Sequence, residues 1–164
     1  MGGILLTHSN HLYSDSKQVA KMQPYPPLQT MICAAVLRDH GFETALFDPT
    51  LVDPLTGFAQ ALDKHLPSLV IVCEDDFNFL TKMCLLRNRA LAFHMAAECS
   101  ARGIRLVVHG ADASDRTAEY LDAGFDCVLH GEVEQTVLNR EIHRLKPLLP
   151  GQNPATLMAL AFRS

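Results

Sequence analysis

Histidines and carboxylates, the side chains best suited to binding ligands or moving protons near neutral pH, are concentrated directly after short apolar runs of this sequence. These polar clusters occupy residues 8–11, 48–50, 74–79, 109–115 and 130–134. A polar cluster after each apolar run is typical of a binding rim, because the runs form the core and the clusters follow where each run ends.

The apolar runs have the length and composition of buried strands, and helix-period segments separate them. They lie at residues 3–7, 44–47, 69–73, 105–109 and 127–130. Strands that alternate with helices predict a parallel sheet. We therefore expect a doubly wound, flavodoxin-like (Rossmann-like) α/β fold with five parallel strands in the order 2-1-3-4-5, which brings the polar clusters to one edge.

The sequence pattern also predicts the crossover helices. The first one begins after Pro27 and shows an apolar face with the spacing i, i+3, i+4 and i+7. Its members are Leu28, Met31, Ile32 and Ala35. Three helical segments end in a glycine that precedes a strand, which indicates repeated βα units. These glycines are Gly41, Gly103 and Gly124.

The length of 164 residues predicts one domain, residues 1–146, followed by a linker or tail at 147–164 whose apolar part, 155–162, has no evident partner. A net charge of -4 excludes a basic nucleic-acid surface. The apolar runs are too short for a membrane span. Widely spaced cysteines and the absence of a leader-like start favour a cytoplasmic protein.

Two segments after the strands offer alternative interpretations. Gly110, between His109 and Asp112, either lets a flat ligand approach the backbone or simply permits a turn, with Asp112 or Ser114 capping the next helix. Glu132, in the run that starts at His130, either contacts a ligand or caps a helix.

The acidic and aromatic run at 74–79 is either a solvated turn or part of the rim, since it follows the third strand. The segment 8–27 is longer than ordinary βα loops, and such long loops are usually functional. Histidines at the strand ends suggest an axial ligand or a metal site, but no zinc-type spacing is present, so no metal site is assigned.

These segments together resemble the cobalamin-binding domains at the N-terminus of B12-dependent radical-SAM proteins. The resemblance covers residues 3 to about 145 and rests mainly on the runs Glu-Asp-Asp-Phe-Asn-Phe and Gly-Glu-Val-Glu. It implies that methylcobalamin or hydroxocobalamin lies over the carboxyl ends of the strands. The implied cofactor-binding residues are Thr7, His8, Ser9, His11, Gln29, Glu74, Asp75, Asp76, Phe77, Asn78, His109, Gly110, Ala111, Asp112, His130, Gly131 and Glu132.

The resemblance also implies that Gly110 and Ala111 are small so that the nucleotide tail of the corrinoid can enter. The wider superfamily's Asp-x-His-x-x-Gly motif is absent, which leaves His11 as the candidate cobalt ligand. The sequence contains no C-x-x-x-C-x-x-C set, so we expect no iron–sulfur cluster in this chain. We assign no catalytic residue. We expect a binding module that presents a corrinoid to a radical-SAM catalytic domain or subunit.

Two other functions use the same fold. A receiver-like domain needs an acidic pair after the first strand and a lysine after the fifth, whereas His8 and His130 stand there. A nucleotide or flavin site would need a glycine loop after the first strand, and none is present. A protein-interaction domain without a ligand stays open as the alternative.

Overall fold

All described strands belong to one sheet. The computed structural model describes residues 3–14, 16–22, 24–74, 78–130 and 160–162. The sheet runs in the order β2-β1-β3-β4-β5-β6. Its strands are β1 (Ile4–Thr7), β2 (Thr44–Leu46), β3 (Leu69–Cys73), β4 (Arg105–His109), β5 (Cys127–Leu129) and β6 (Leu160–Phe162).

The first five strands pair in parallel, which confirms the expected order 2-1-3-4-5. β6 differs from expectation, because Leu160–Phe162 pairs antiparallel with β5 although the sequence offered this segment no partner. It extends the sheet beyond β5 by one strand. Backbone pairing needs no distinctive side-chain pattern, so a three-residue apolar strand at a sheet edge leaves little trace in the sequence.

The central strands are buried on both faces. Every residue of β1 and β3 is buried, and in β4 only Arg105 is exposed. This explains their near-continuous apolar composition, since a parallel sheet covered on two sides has no solvent face to require alternation.

The described helices comprise short ones near the carboxyl edge of the sheet and longer crossovers. They are α1 (Ser16–Lys21), α2 (Leu28–Asp39), α3 (Pro54–His65), α4 (Asn78–Ala101), α5 (Ala111–Asp115) and α6 (Thr117–Ala123), and a 3-10 turn spans Leu12–Ser14. The segment 8–27 thus contains a turn and a short helix, and the Leu12 amide donates to the Thr50 carbonyl at 3.0 Å. In the described part of the chain, no helix has the length and apolarity that a bilayer crossing requires.

The orientation of α2 differs from the expected one. The apolar face expected to pack is exposed, with Leu28 at 64% and Met31 at 45%. A second stripe with the same i, i+3, i+4, i+7 spacing is buried instead: Thr30, Cys33, Ala34 and Leu37. Three of its four side chains are small, and small side chains permit a helix to pack closely on a sheet.

Two apolar clusters lie on opposite faces of the sheet. One joins the inner side of α3 and α4 to the sheet, with Phe58, Met95, Tyr120 and Phe125 fully buried. The other joins α2 to the sheet through Cys33 and Leu37. Strand neighbours point alternately into the two clusters, as Val70 and Ile71 do, so the sheet is fixed between two layers.

The expected helix ends are confirmed. Gly41 and Gly124 follow α2 and α6 with φ of +84° and +115°, a backbone region that glycine enters without a Cβ penalty. The chain then turns directly into β2 and β5, which sets the strand register and therefore the position of the residues that follow each strand.

Candidate functional site

The strand register brings the predicted rim residues to one edge of the sheet. Thr7 pairs with Val72, and His109 pairs with Cys73 on one side and Leu129 on the other. The residues that follow these strands are therefore neighbours along the carboxyl edge. Most of them are buried: Thr7, His8, Ser9, Glu74 and His109 are 0%, 1%, 1%, 6% and 2% exposed.

His8 is held by a carboxylate from the next strand. Its Nε2 lies 3.2 Å from Asp48 Oδ1, and the backbone amide of Thr50 donates to the same oxygen at 2.9 Å. Burial alone would raise the pKa of Asp48, but the hydrogen bonds from His8 and Thr50 outweigh it and lower that pKa to about 2. Asp48 is therefore ionised at neutral pH and orients the imidazole of His8.

Glu74 and Gly110 meet where β3 and β4 end. A Cβ on Gly110 would lie 2.4 Å from Glu74 Cβ and 3.2 Å from Glu74 Cγ. Only glycine fits beside Glu74 in this position. The small residue after β4 thus accommodates Glu74, and the side chain of Glu74 takes up the space that the resemblance left for a nucleotide tail.

Asp112 belongs to a polar cluster behind the edge. Arg89 donates to both of its carboxylate oxygens, at 2.8 and 2.6 Å, and the Tyr120 hydroxyl donates to Oδ2 at 2.9 Å. Burial works against ionisation, yet these donors hold the pKa of Asp112 below its usual value. Asp112 therefore fixes α4 against α5 and α6. Neither of these two short helices begins with a side-chain cap hydrogen bond.

Some residues at this edge are exposed to solvent. Ala111 begins α5, His130 directly follows β5, and both are exposed. Gln29, the second residue of α2, is half-buried. Solvent therefore reaches this edge at Ala111, His130 and Asp48.

His11 lies apart from this buried row. It lines a groove between the start of α3 and the middle of α4. Burial lowers the pKa of His11, the positive charge of Arg87 lowers it further, and Asp53 acts in the opposite direction. His11 is therefore neutral at pH 7.

Five of the predicted site residues fall outside the described part of the chain: Asp75, Asp76, Phe77, Gly131 and Glu132. Asn78 is described only as the first residue of α4. Among the described residues, no group of three or more histidines, cysteines or acidic side chains is arranged to hold a metal ion.

The sequence placed Asp48 in the rim as part of the cluster at 48–50 but not among the cofactor-binding residues, and it gave no role to Arg87 or His94. Asp48 follows β2 directly, so its position at a strand end was the available signal. Arg87 and His94 line the same groove as His11 and are seven residues apart on α4, a spacing that places them on one helix face. The sequence signal was the periodicity of 87, 90, 91 and 94, which mixes two polar with two apolar residues.

A scan against protein-family models, a search of curated proteins and a search of solved structures each found no match for this chain.

Proposed function

We propose that this chain is a corrinoid-binding module of the kind that serves B12-dependent radical-SAM enzymes. The observation that carries the proposal is the row of buried polar side chains at the carboxyl edge of a sheet with the order 2-1-3-4-5. In open sheets of this class, ligands bind beyond the carboxyl ends of the strands. Burying several polar side chains at one place costs folding free energy. This cost favours a functional reason for the row.

The chemistry of the row suits a corrin ring, which carries many amide side chains around its rim. His8, Ser9 and His109 come from two strands and supply both donors and acceptors at this edge. The Asp48 carboxylate fixes the imidazole of His8 through Nε2, so the ring is oriented before a ligand arrives.

The space beside Gly110 is the part of the site that fits least well. Glu74 fills it, so a nucleotide tail that entered there would have to displace the Glu74 side chain. We therefore assign the corrin contacts to the row of buried side chains and to the exposed Ala111 and His130, and we assign no entry path to the tail.

A bound corrinoid would supply cobalt-centred methyl chemistry, while the described residues of this chain would bind and orient it. Transfer to an acceptor would need a separate radical-SAM catalytic domain or subunit, facing the exposed end of the site. A reducing cytoplasmic setting agrees with the buried free thiols of Cys33 and Cys99.

A visible absorption titration with hydroxocobalamin tests the proposal. The blocking variant is Ala111→Trp, because Ala111 is exposed at the edge. Ala118→Trp on the exposed side of α6 is the matched control. We expect the wild type and the control to retain corrin absorbance after desalting and Ala111→Trp to lose it. Equal retention by all three would place any bound corrinoid elsewhere.

The alternative is a protein-interaction domain that binds no small ligand at this edge. The observation that favours it is the exposed apolar face of α2, where Leu28, Met31 and Ile32 are 64%, 45% and 36% exposed. Well-folded protein that retains no corrin absorbance would support this alternative over corrinoid binding.

A further inference from the structure

A second concave site lies on one side of the sheet, between α3 and α4. The groove has a volume of about 810 Å³, which is in the range of small-molecule sites. Its walls are the first turn of α3, the middle of α4 and the 3-10 turn that follows β1. The long segment after β1 therefore contributes to this groove as well as to the sheet edge.

The apolar part of the groove suits the aromatic or aliphatic portion of a ligand. Leu55 comes from the first turn of α3 and Leu91 from α4, while the Tyr13 ring contributes from the 3-10 turn. Leu55 is 46% exposed and Tyr13 53% exposed, whereas Leu91 is buried. A ligand that covered Leu55 and Tyr13 would remove apolar surface from water, at about 25 cal/mol per Å².

Several polar groups of the groove make no hydrogen bond or ion pair within the described structure. Arg87, His94 and the Tyr13 hydroxyl make no hydrogen bond or ion pair within the described part of the chain, and His11 Nδ1 is buried without a hydrogen-bond partner there. Arg89, two residues from Arg87, is fully engaged by Asp112 instead. Polar donors that face a groove and stay unpaired are available to a ligand.

The groove has one guanidinium that can receive an anionic group. Arg87 carries the only full positive charge among the described residues that line it. The one carboxylate there, Asp53, already accepts a hydrogen bond from the Thr56 amide at 3.1 Å as the cap of α3. Asp53 is thus committed to capping α3 and makes no ion pair with Arg87 among the described residues, so the guanidinium of Arg87 stays available for a negatively charged group.

We propose that this groove binds a small organic anion with an aromatic or aliphatic body, with the anionic group at Arg87 and His94 and the body over Leu55 and Tyr13. The site is separate from the carboxyl edge of the sheet and does not depend on corrinoid binding. The carboxylate, phosphate or sulfonate nature of the anion makes no difference to this geometry, since each accepts hydrogen bonds from a guanidinium.

Two dyes that share an apolar body test the proposal. The anionic probe is 8-anilinonaphthalene-1-sulfonate, and the neutral one is N-phenyl-1-naphthylamine, which lacks the sulfonate. Both are followed by fluorescence titration. We expect saturable binding of the anionic dye, with a weaker affinity for the neutral dye because it makes no contact with Arg87.

The variants separate the two parts of the groove. Arg87→Gln is expected to weaken the anionic dye about fivefold, the effect of one exposed charge pair, and to leave the neutral dye unchanged. Ala90→Trp, at an exposed lining position of α4, is expected to abolish binding of both dyes. The controls are Arg38→Gln on α2 and Ala118→Trp on α6, both exposed and outside the groove.

Three results would overturn the proposal: unchanged affinity of the anionic dye in Arg87→Gln, unchanged binding in Ala90→Trp, or equal affinity of the two dyes for the wild type. Backbone amide shifts of the wild type give a check that needs no variant, because the dye must perturb Leu55 and Ala90 more than Arg38. Corrinoid retention by Arg87→Gln should equal that of the wild type, so failure at either site is recognised separately.

Discussion

Replacement of Gly110 by alanine measures how tightly the ends of β3 and β4 pack. The new methyl carbon would lie 2.4 Å from Glu74 Cβ and 3.2 Å from Glu74 Cγ, so the backbone or Glu74 must shift. Overpacking of a buried site costs about 1–3 kcal/mol. For a chain of this size, a loss of 2 kcal/mol lowers Tm by about 4–8 °C. Thermal unfolding followed by circular dichroism measures the difference.

Two comparisons decide whether the contact with Glu74 is the cause. Gly103→Ala has no atom within 4 Å of the new carbon, and its φ of +64° leaves only a backbone cost of about 1–2 kcal/mol. Adding Glu74→Gly to Gly110→Ala removes the colliding Cβ, so the double variant should recover part of the loss, whereas Glu74→Ala keeps that atom and should not. Gly110→Ala with wild-type stability, or no coupling with Glu74→Gly, would refute the packing argument.

Three further predictions concern groups inside the fold. Arg89→Met leaves Asp112 without its two guanidinium hydrogen bonds. The free energy of unfolding, measured by urea titration, should fall by about 2–3 kcal/mol. A loss below about 0.5 kcal/mol would contradict the stabilising role of the cluster. The pKa of Asp112 is lowered in the folded state, so its stabilisation is present above about pH 4 and lost as the pH falls through the folded pKa. Tm measured from about pH 5 to pH 2 should therefore fall less steeply in Asp112→Asn than in the wild type, and parallel curves would count against this linkage. Burial raises the pKa of the Cys99 thiol to about 12, so iodoacetamide labelling of Cys99, read by peptide mass spectrometry, should require unfolding, and rapid labelling of the native chain would show that the site is open.

The strands were predictable because each is a short, near-continuous apolar run bounded by glycine or polar residues. The structure confirms β3 and β4 at the residues expected, and β1, β2 and β5 are each one residue shorter than expected. The parallel order follows from the same pattern, because alternating helices and strands leave few topologies open.

The orientation of α2 could not be predicted because the helix carries two stripes with the same spacing. The stripe that begins at Leu28 is the more apolar of the two, and hydrophobicity alone would bury it. The structure buries the stripe that begins at Thr30, whose small members permit close packing. The choice depends on the shape of the sheet surface, which the sequence of the helix does not contain.

The candidate site also has features that the sequence predicts and features that it does not. The row at the sheet edge was predictable, since His8 and Glu74 follow strands, and His109 ends a strand, whose ends must coincide in a parallel sheet. The contact between Glu74 and Gly110 was not, because it depends on a distance between two backbones. The groove between α3 and α4 likewise requires the spacing of two helices to be known, although the period of Arg87 and His94 was visible.

Corrinoid retention by the unmodified chain tests the central claim most directly. Purified protein is mixed with excess hydroxocobalamin and desalted, and the corrin absorbance that elutes with the protein is compared with the protein concentration. We expect corrin in stoichiometric proportion to the folded chain. Folded protein that elutes with no corrin, at ligand concentrations well above those of typical cofactor sites, would contradict it.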